Sequence, residues 1–200
     1  MMGQSISDLR RLMTLLEEEH RAILNLRMPA LRDAVDLLAQ AANSDACSAA
    51  PELCSAVVTF HANLQRLCER EERGLFPMLR RLLNATVVSQ CHAGLVQSRV
   101  KFATLEQEAV SRELDQLASL AGCVGSPPGT STAAIAAQID VLRHAIDALR
   151  HAIDAHVRHE QQILFPSVVE LEQTLTQRGR EGTMGASASI SLSDPPPPAK

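Results

Sequence analysis

The sequence predicts an all-α protein, an up-down-up-down four-helix bundle with a disordered C-terminal tail. Apolar residues recur at steps of three and four through four long segments, which is the periodicity of amphipathic helices. A loop rich in Gly, Pro, Ser and Thr separates the third and fourth segments, and no segment shows the alternation of a strand. Short connectors between long helices favour antiparallel packing of consecutive helices.

The predicted helices cover roughly residues 5–42, 51–83, 85–121 and 133–177. Pro29 is expected to kink or break the first helix, and Pro77 and Pro166 to kink or end the second and fourth. We therefore predict a bundle over residues 1–177. Residues 178–200 lack periodicity and end in a run of prolines, which predicts a disordered tail.

The composition limits the classes of partner and compartment. Of 200 residues, 46% are hydrophobic, which is enough for a core, and the net charge of −4 indicates neither a nucleic acid nor an anionic membrane as partner. No apolar run approaches the ~20 residues that span a bilayer. The five cysteines are odd in number and form no C-x-x-C pair, which favours reduced thiols in the cytoplasm.

A histidine and a glutamate interrupt the apolar stripe of the fourth segment. Continuing the steps of that stripe beyond Ile153 leads to His156 and Glu160, and then to Ile163. Residues four apart lie on one helix face, so we expect both side chains to point into the bundle. The stripe before them consists of Ile135, Ile139, Leu142, Ile146, Leu149 and Ile153.

The second segment repeats this pattern with one difference. Its stripe leads to Leu67 and then Glu71, which align with His156 and Glu160 at a constant spacing. Both copies continue as Glu-x-x-x-Leu-Phe-Pro, but leucine stands where the fourth segment has its histidine. The Leu-Phe pairs are expected to close the end of the bundle.

Histidines also fall on the stripes of the other two segments. His20 follows Leu16 and precedes Ile23, and His92 stands between Val88 and Leu95. The chain thus resembles two helical hairpins, each with a histidine followed by the glutamate motif.

Five polar residues on core stripes require a common partner. A buried carboxylate costs several kcal/mol unless it is paired or binds a cation, and no Lys or Arg lies on the stripes at this level. Imidazole with carboxylate suits iron, manganese or zinc. A purely structural polar network is the alternative. The candidate metal ligands are His20, Glu71, His92, His156 and Glu160.

The order of these residues resembles the hemerythrin-like HHE cation-binding domain family, over roughly residues 5–177. The resemblance implies a four-helix bundle that holds iron, as one ion or a di-iron centre, with dioxygen, nitric oxide or peroxide as small ligands, or a role in iron handling. The family expects a histidine where this chain has Leu67. Water or Glu17 could complete the coordination there, or one metal position could be vacant.

Three functions follow as hypotheses from this pattern. The first is a metal-binding protein with a non-haem iron centre. The second is an iron enzyme or repair factor that uses an open coordination position, although the sequence identifies no substrate or reaction. The third is a degenerate bundle that acts as a metal-free regulatory or interaction module.

Overall fold

The computed structural model describes residues 5–41, 50–89, 92–123 and 132–188. All regular structure in this part of the chain is helical, and four long helices pack as a bundle, which confirms the predicted fold class. The α-helices are α1 (Ile6–Ala22), α2 (Met28–Ala41), α3 (Ala50–Arg70), α4 (Phe76–Asn84), α5 (Leu95–Cys123), α6 (Thr132–His159) and α7 (Phe165–Ala188).

Six of these helices join in pairs to form three of the four long helices. The joints are π-helical segments: Ile23–Arg27 between α1 and α2, Glu71–Leu75 between α3 and α4, and Glu160–Leu164 between α6 and α7. α5 is the remaining long helix. Contacts of α1 with α4 and of α2 with α3 show that the first two long helices are antiparallel, and the α1–α2 unit also packs against α6.

Each π-helical segment ends two residues before a proline. The segments end at Arg27, Leu75 and Leu164, and the prolines are Pro29, Pro77 and Pro166. Proline lacks a backbone N–H and its ring crowds the carbonyl four residues earlier, so a wider turn is a local accommodation. In the second segment the Phe76 N–H donates to the Glu71 carbonyl five residues back. The helices therefore continue through these prolines.

Two apolar clusters fill the bundle, and a layer of buried polar side chains lies between them. Along the first long helix, Leu16 belongs to one cluster and Ile23 to the other, with His20 between them. The other long helices cross the same layer. Its buried members are His20, Glu71, Gln107, His156 and Glu160.

The third long helix begins later than the sequence predicted. α5 starts at Leu95, because Gly94 has a φ of +82°, a left-handed conformation that glycine adopts without strain. The buried Glu172 carboxylate of α7 accepts the backbone N–H groups of Val96 and Gln97 at 2.9 and 3.3 Å. These bonds satisfy donors that a helix N-terminus leaves without partners.

The C-terminal helix ends later than the predicted boundary at residue 177. α7 is helical as far as Ala188, and the rest of the predicted tail, residues 189–200, lies outside the described residues. None of the helices that the structure describes has the length and apolar character needed to cross a membrane.

Candidate metal site

Side chains from three of the four long helices converge in the polar layer. His20 Nε2 lies 3.0 Å from His156 Nε2 and 3.0 Å from Glu71 Oε2. His156 Nε2 lies 3.9 Å from the same carboxylate oxygen. All three residues are buried, and their ligand atoms lie within 4.8 Å of one another, so the group could hold a metal ion.

The separations between these atoms fit the coordination of a small transition-metal ion. Bonds of about 2.0–2.1 Å to nitrogen and oxygen at right angles leave neighbouring ligand atoms about 2.9 Å apart, and tetrahedral angles leave them about 3.4 Å apart. The two 3.0 Å distances lie within that interval. The third distance requires only a small movement of Glu71 or His156.

A carboxylate lies within hydrogen-bond distance of Nδ1, the nitrogen that points away from the centre of the layer, in both imidazole rings. His20 Nδ1 lies 3.1 Å from Glu72 Oε1, and His156 Nδ1 lies 3.0 Å from Glu19 Oε2. A proton on each Nδ1 leaves the lone pair of each Nε2 directed at the centre of the layer. Two facing lone pairs repel unless a proton or a metal ion lies between them, and carboxylates commonly orient metal-binding histidines in this way.

Glu160 and Gln107 complete the polar layer. Glu160 Oε2 lies 3.6 Å from His156 Nε2, so this carboxylate borders the three converging side chains. The Gln107 amide donates to Glu71 Oε1 at 3.1 Å and also to Glu160 Oε2, while its own oxygen accepts from Gln161. Gln107 thereby fixes the orientation of both buried carboxylates.

The charge of the layer is not balanced by basic side chains. Four carboxylates surround two imidazoles, and none of them forms an ion pair with an arginine or lysine in the described part of the chain. Glu160 Oε1 is buried without a hydrogen-bond partner, and the buried Glu71 Oε2 has only the imidazole nitrogens of His20 and His156 beside it. A cation would relieve both deficits, because unpaired buried carboxylates cost several kcal/mol.

Where no metal ion is bound, the carboxylates of the layer favour protonation of its imidazoles. Burial acts to lower the pKa of His20, but hydrogen bonds to Cys68 and Glu71 raise it to about 10. Burial opposes protonation of His156 too, and its bonds to Glu19 and Glu71 raise its pKa to about 10. Burial, together with the charge of Glu71, raises the pKa of Glu160 to about 8.

We expect the free energy of unfolding of the metal-free protein to fall as the pH rises from 6.5 to 10. Protonated His20 and His156 stabilise the folded state fully below the ordinary value of 6.5, and this contribution is lost as the pH rises through about 10. Glu160 acts in the same direction between 4.5 and about 8. Urea unfolding with a chelator present measures this trend.

Metal binding is expected to depend on pH in the opposite direction, since an ion must displace the imidazole protons. Its apparent affinity should rise over the same interval. A metal-free protein whose stability is constant from pH 6.5 to 10 would contradict this account of the layer.

Leu67 borders a small internal cavity beside the three converging side chains. This cavity of about 10 Å³ is also lined by His20, Glu71 and His156. Its volume is at the lower limit for one water molecule. The Phe76 ring stacks on His20 with centroids 5.7 Å apart, so hydrocarbon encloses the site on this side also.

The structure brings four of the five candidate ligands together and separates the fifth. His20, Glu71, His156 and Glu160 lie in one buried layer. The prediction that His92 occupies a core position is wrong. It is exposed in the turn before α5, where its Nδ1 lies 2.7 Å from Ser89 Oγ. The physical reason is the late start of α5 after Gly94.

Gln107 is the residue of the third long helix that enters the polar layer, where His92 was predicted. A usable signal was present, since Ala103, Gln107, Val110 and Leu114 follow steps of four and three. Glu19 and Glu72 were missed too, because charge runs are typical of exposed helix faces. Glu17, considered as a substitute ligand, instead pairs with Arg80 at 2.6 Å.

The fold and the site define a helical bundle whose buried His20, Glu71 and His156 could bind a metal ion. Comparisons with protein-family models, curated protein sequences and solved structures found no match to this chain. Its functional interpretation therefore depends on the residues themselves.

Proposed function

We propose that the protein binds one non-haem iron ion in its polar layer, through His20, His156 and Glu71. The observation that carries this proposal is the convergence of two imidazole nitrogens and one carboxylate oxygen in a buried, electron-rich layer. Two histidines and one carboxylate on one side of an ion, with other positions open, are typical of non-haem iron(II) sites. Manganese and zinc are the competing ions.

A single ion agrees better with the donor set than a di-iron centre does. The resemblance to HHE domains supports iron, but His92 is distant in the fold from the polar layer and Leu67 replaces the other expected histidine. Glu160 is the fourth donor available to the same ion. Gln107 holds Glu71 and Glu160 in place, and Glu19 and Glu72 orient the two imidazoles.

Iron at this position would supply redox chemistry and open sites for small ligands. The chain's own residues limit which ligands fit, because Leu67 and neighbouring side chains leave only about 10 Å³. Dioxygen, nitric oxide or peroxide would need a small displacement of Leu67 or its neighbours to enter, whereas a larger substrate would need the helices themselves to separate. We therefore propose a role in binding or sensing such molecules, and we assign no reaction.

The test is anaerobic titration of the metal-free protein with iron(II), followed by metal analysis and thermal unfolding. We expect one tightly bound iron per chain and an increase of the unfolding temperature, because ligands that bind only the folded state stabilise it. Zinc and manganese titrations compare the competing ions. Two irons per chain would contradict the single-ion assignment, and no bound metal with an unchanged unfolding temperature would overturn the proposal.

A further inference from the structure

A surface cleft lies between α3 and α5, at the level of the π-helical segment that begins with Glu71. Its volume of about 360 Å³ falls within the range of small-molecule sites. Arg66, Arg70, Arg73 and Gly74 line it from the second long helix, at spacings that share one helix face. It is separate from the internal cavity beside Leu67, although Glu71 borders both.

Four arginines and three glutamates line this cleft, so its lining carries a small positive excess, although the whole chain carries a net charge of −4. Arg99 lines the cleft from α5, on the side opposite the second long helix. Arg70 pairs with Glu106 across the cleft, and Arg73 lies 3.7 Å from Glu69. Among the described residues, neither of the remaining arginines, at positions 66 and 99, has a carboxylate within ion-pair distance. Because Arg70 lies opposite Glu106, Arg66 and Arg99 stand at opposite ends of the cleft, roughly 16 Å apart along the helices. Arg99 is the one beside Phe102, and its guanidinium group is available to an anion.

Apolar side chains line the same cleft beside Arg99. Phe102 is 53% exposed, which is high for an aromatic side chain on a helix, and it lines the cleft with Leu75 and Ala103. The hydrocarbon stems of arginines extend such a surface. A ligand that matches this cleft therefore combines a hydrocarbon body with a planar anionic group.

We propose that the cleft binds a small organic carboxylate, with its anionic group on Arg99 and its hydrocarbon body on Phe102, three residues further along the same face of α5. Guanidinium groups recognise carboxylates through paired hydrogen bonds, which gives the match its specificity. The site is distinct from the polar layer and does not depend on a bound metal. Since Glu71 borders both, an occupied cleft lies directly behind a residue of the metal site.

Titration of the metal-free, full-length protein with benzoate tests this proposal, with amide chemical shifts as the readout. Absence of metal ensures that a carboxylate bound to an ion is not mistaken for occupancy of the cleft. We expect saturable shifts centred on Gly74 and Phe102, with a dissociation constant on the order of 1 mM. Benzamide, which lacks the charge, is expected to bind about tenfold more weakly.

Gly74 offers a substitution that fills the cleft without disturbing the core. A Cβ added there meets no atom within 4 Å. Gly74→Leu should weaken benzoate binding about tenfold or more, and Arg99→Gln about tenfold, whereas Arg66→Gln at the other end of the cleft should change it little. Gly122→Leu and Arg112→Gln are the controls, because Gly122 is equally open and Arg112 lies on α5 outside the cleft.

Three results would overturn the proposal. They are the absence of saturable shifts, benzoate affinity unchanged in both Gly74→Leu and Arg99→Gln, and equal losses in the control variants. All are read on metal-free protein, so they stay distinguishable from a failure of the iron assignment.

Discussion

Replacing His156 with leucine is expected to lower the affinity for iron(II) by more than about 100-fold. Loss of an outer hydrogen bond to a metal ligand already costs ~10–100-fold, and His156 is placed to supply a ligand nitrogen itself. Its Nε2 lies 3.0 Å from that of His20, so the substitution leaves one imidazole and Glu71 in the layer. Competition with a chromophoric chelator measures the affinity, and circular dichroism verifies the fold.

His151→Leu is the matched control for this prediction. His151 lies on the same helix, is exposed, and its Nδ1 lies 2.6 Å from the Asp147 carbonyl of its own helix. It should retain the original affinity. Glu19→Gln should lower the affinity for iron(II) by about 10–100-fold, because it weakens the hydrogen bond that the His156 Nδ1 makes to this side chain. A His156→Leu protein that binds iron as tightly as the original would place the metal elsewhere.

Replacing Glu160 with leucine is expected to have opposite effects on the metal-free and the metal-bound protein. In the metal-free state it should raise the free energy of unfolding by ~1–3 kcal/mol, because a buried carboxyl with an unpartnered oxygen gives way to hydrocarbon. With iron present, it removes a donor at the edge of the site, so affinity and metal-dependent stabilisation should both fall.

The stabilisation of the metal-free protein by Glu160→Leu is expected to depend on pH through the ionisation of Glu160. Burial raises the pKa of Glu160 to about 8, so its cost grows between pH 4.5 and about 8 and is absent below that interval. Glu160→Gln is the control, since it removes the charge and keeps an amide oxygen for Gln107. Urea unfolding measures the change in the free energy of unfolding, once with a chelator present and once with iron(II).

This substitution also separates the iron-binding protein from a metal-free regulatory bundle. A metal-free bundle predicts that Glu160→Leu is stabilising in every condition and that iron(II) changes nothing. If the ranking of the two proteins is the same with and without iron, the metal-free function is the better assignment.

The sequence predicted the bundle and most of the polar layer because both depend on helix periodicity. His156 and Glu160 continue an unbroken apolar stripe, and Glu71 repeats that register in the second long helix. Such residues are buried whatever the details of the packing.

The residues that the sequence did not place depend on where a helix starts or on contacts between helices. His92 lies on a stripe only if the helix starts before Gly94, and a single glycine at positive φ decides that question. Glu19 and Glu72 contact imidazoles on other long helices, and spacing along one helix cannot reveal such contacts. Each proline was expected to kink or to end its helix, and the sequence pattern did not show that a π-helical turn would precede it.

Those wide turns also change the direction in which the apolar face points, in three of the four long helices. An α-helix rotates about 100° per residue, and a turn that accommodates one extra residue sets the following face back by about that angle. The direction of the apolar face that follows Phe76 or Phe165 is therefore rotated relative to the face that precedes Glu71 or Glu160. The two apolar clusters can consequently differ in register while the polar layer between them keeps its own alignment.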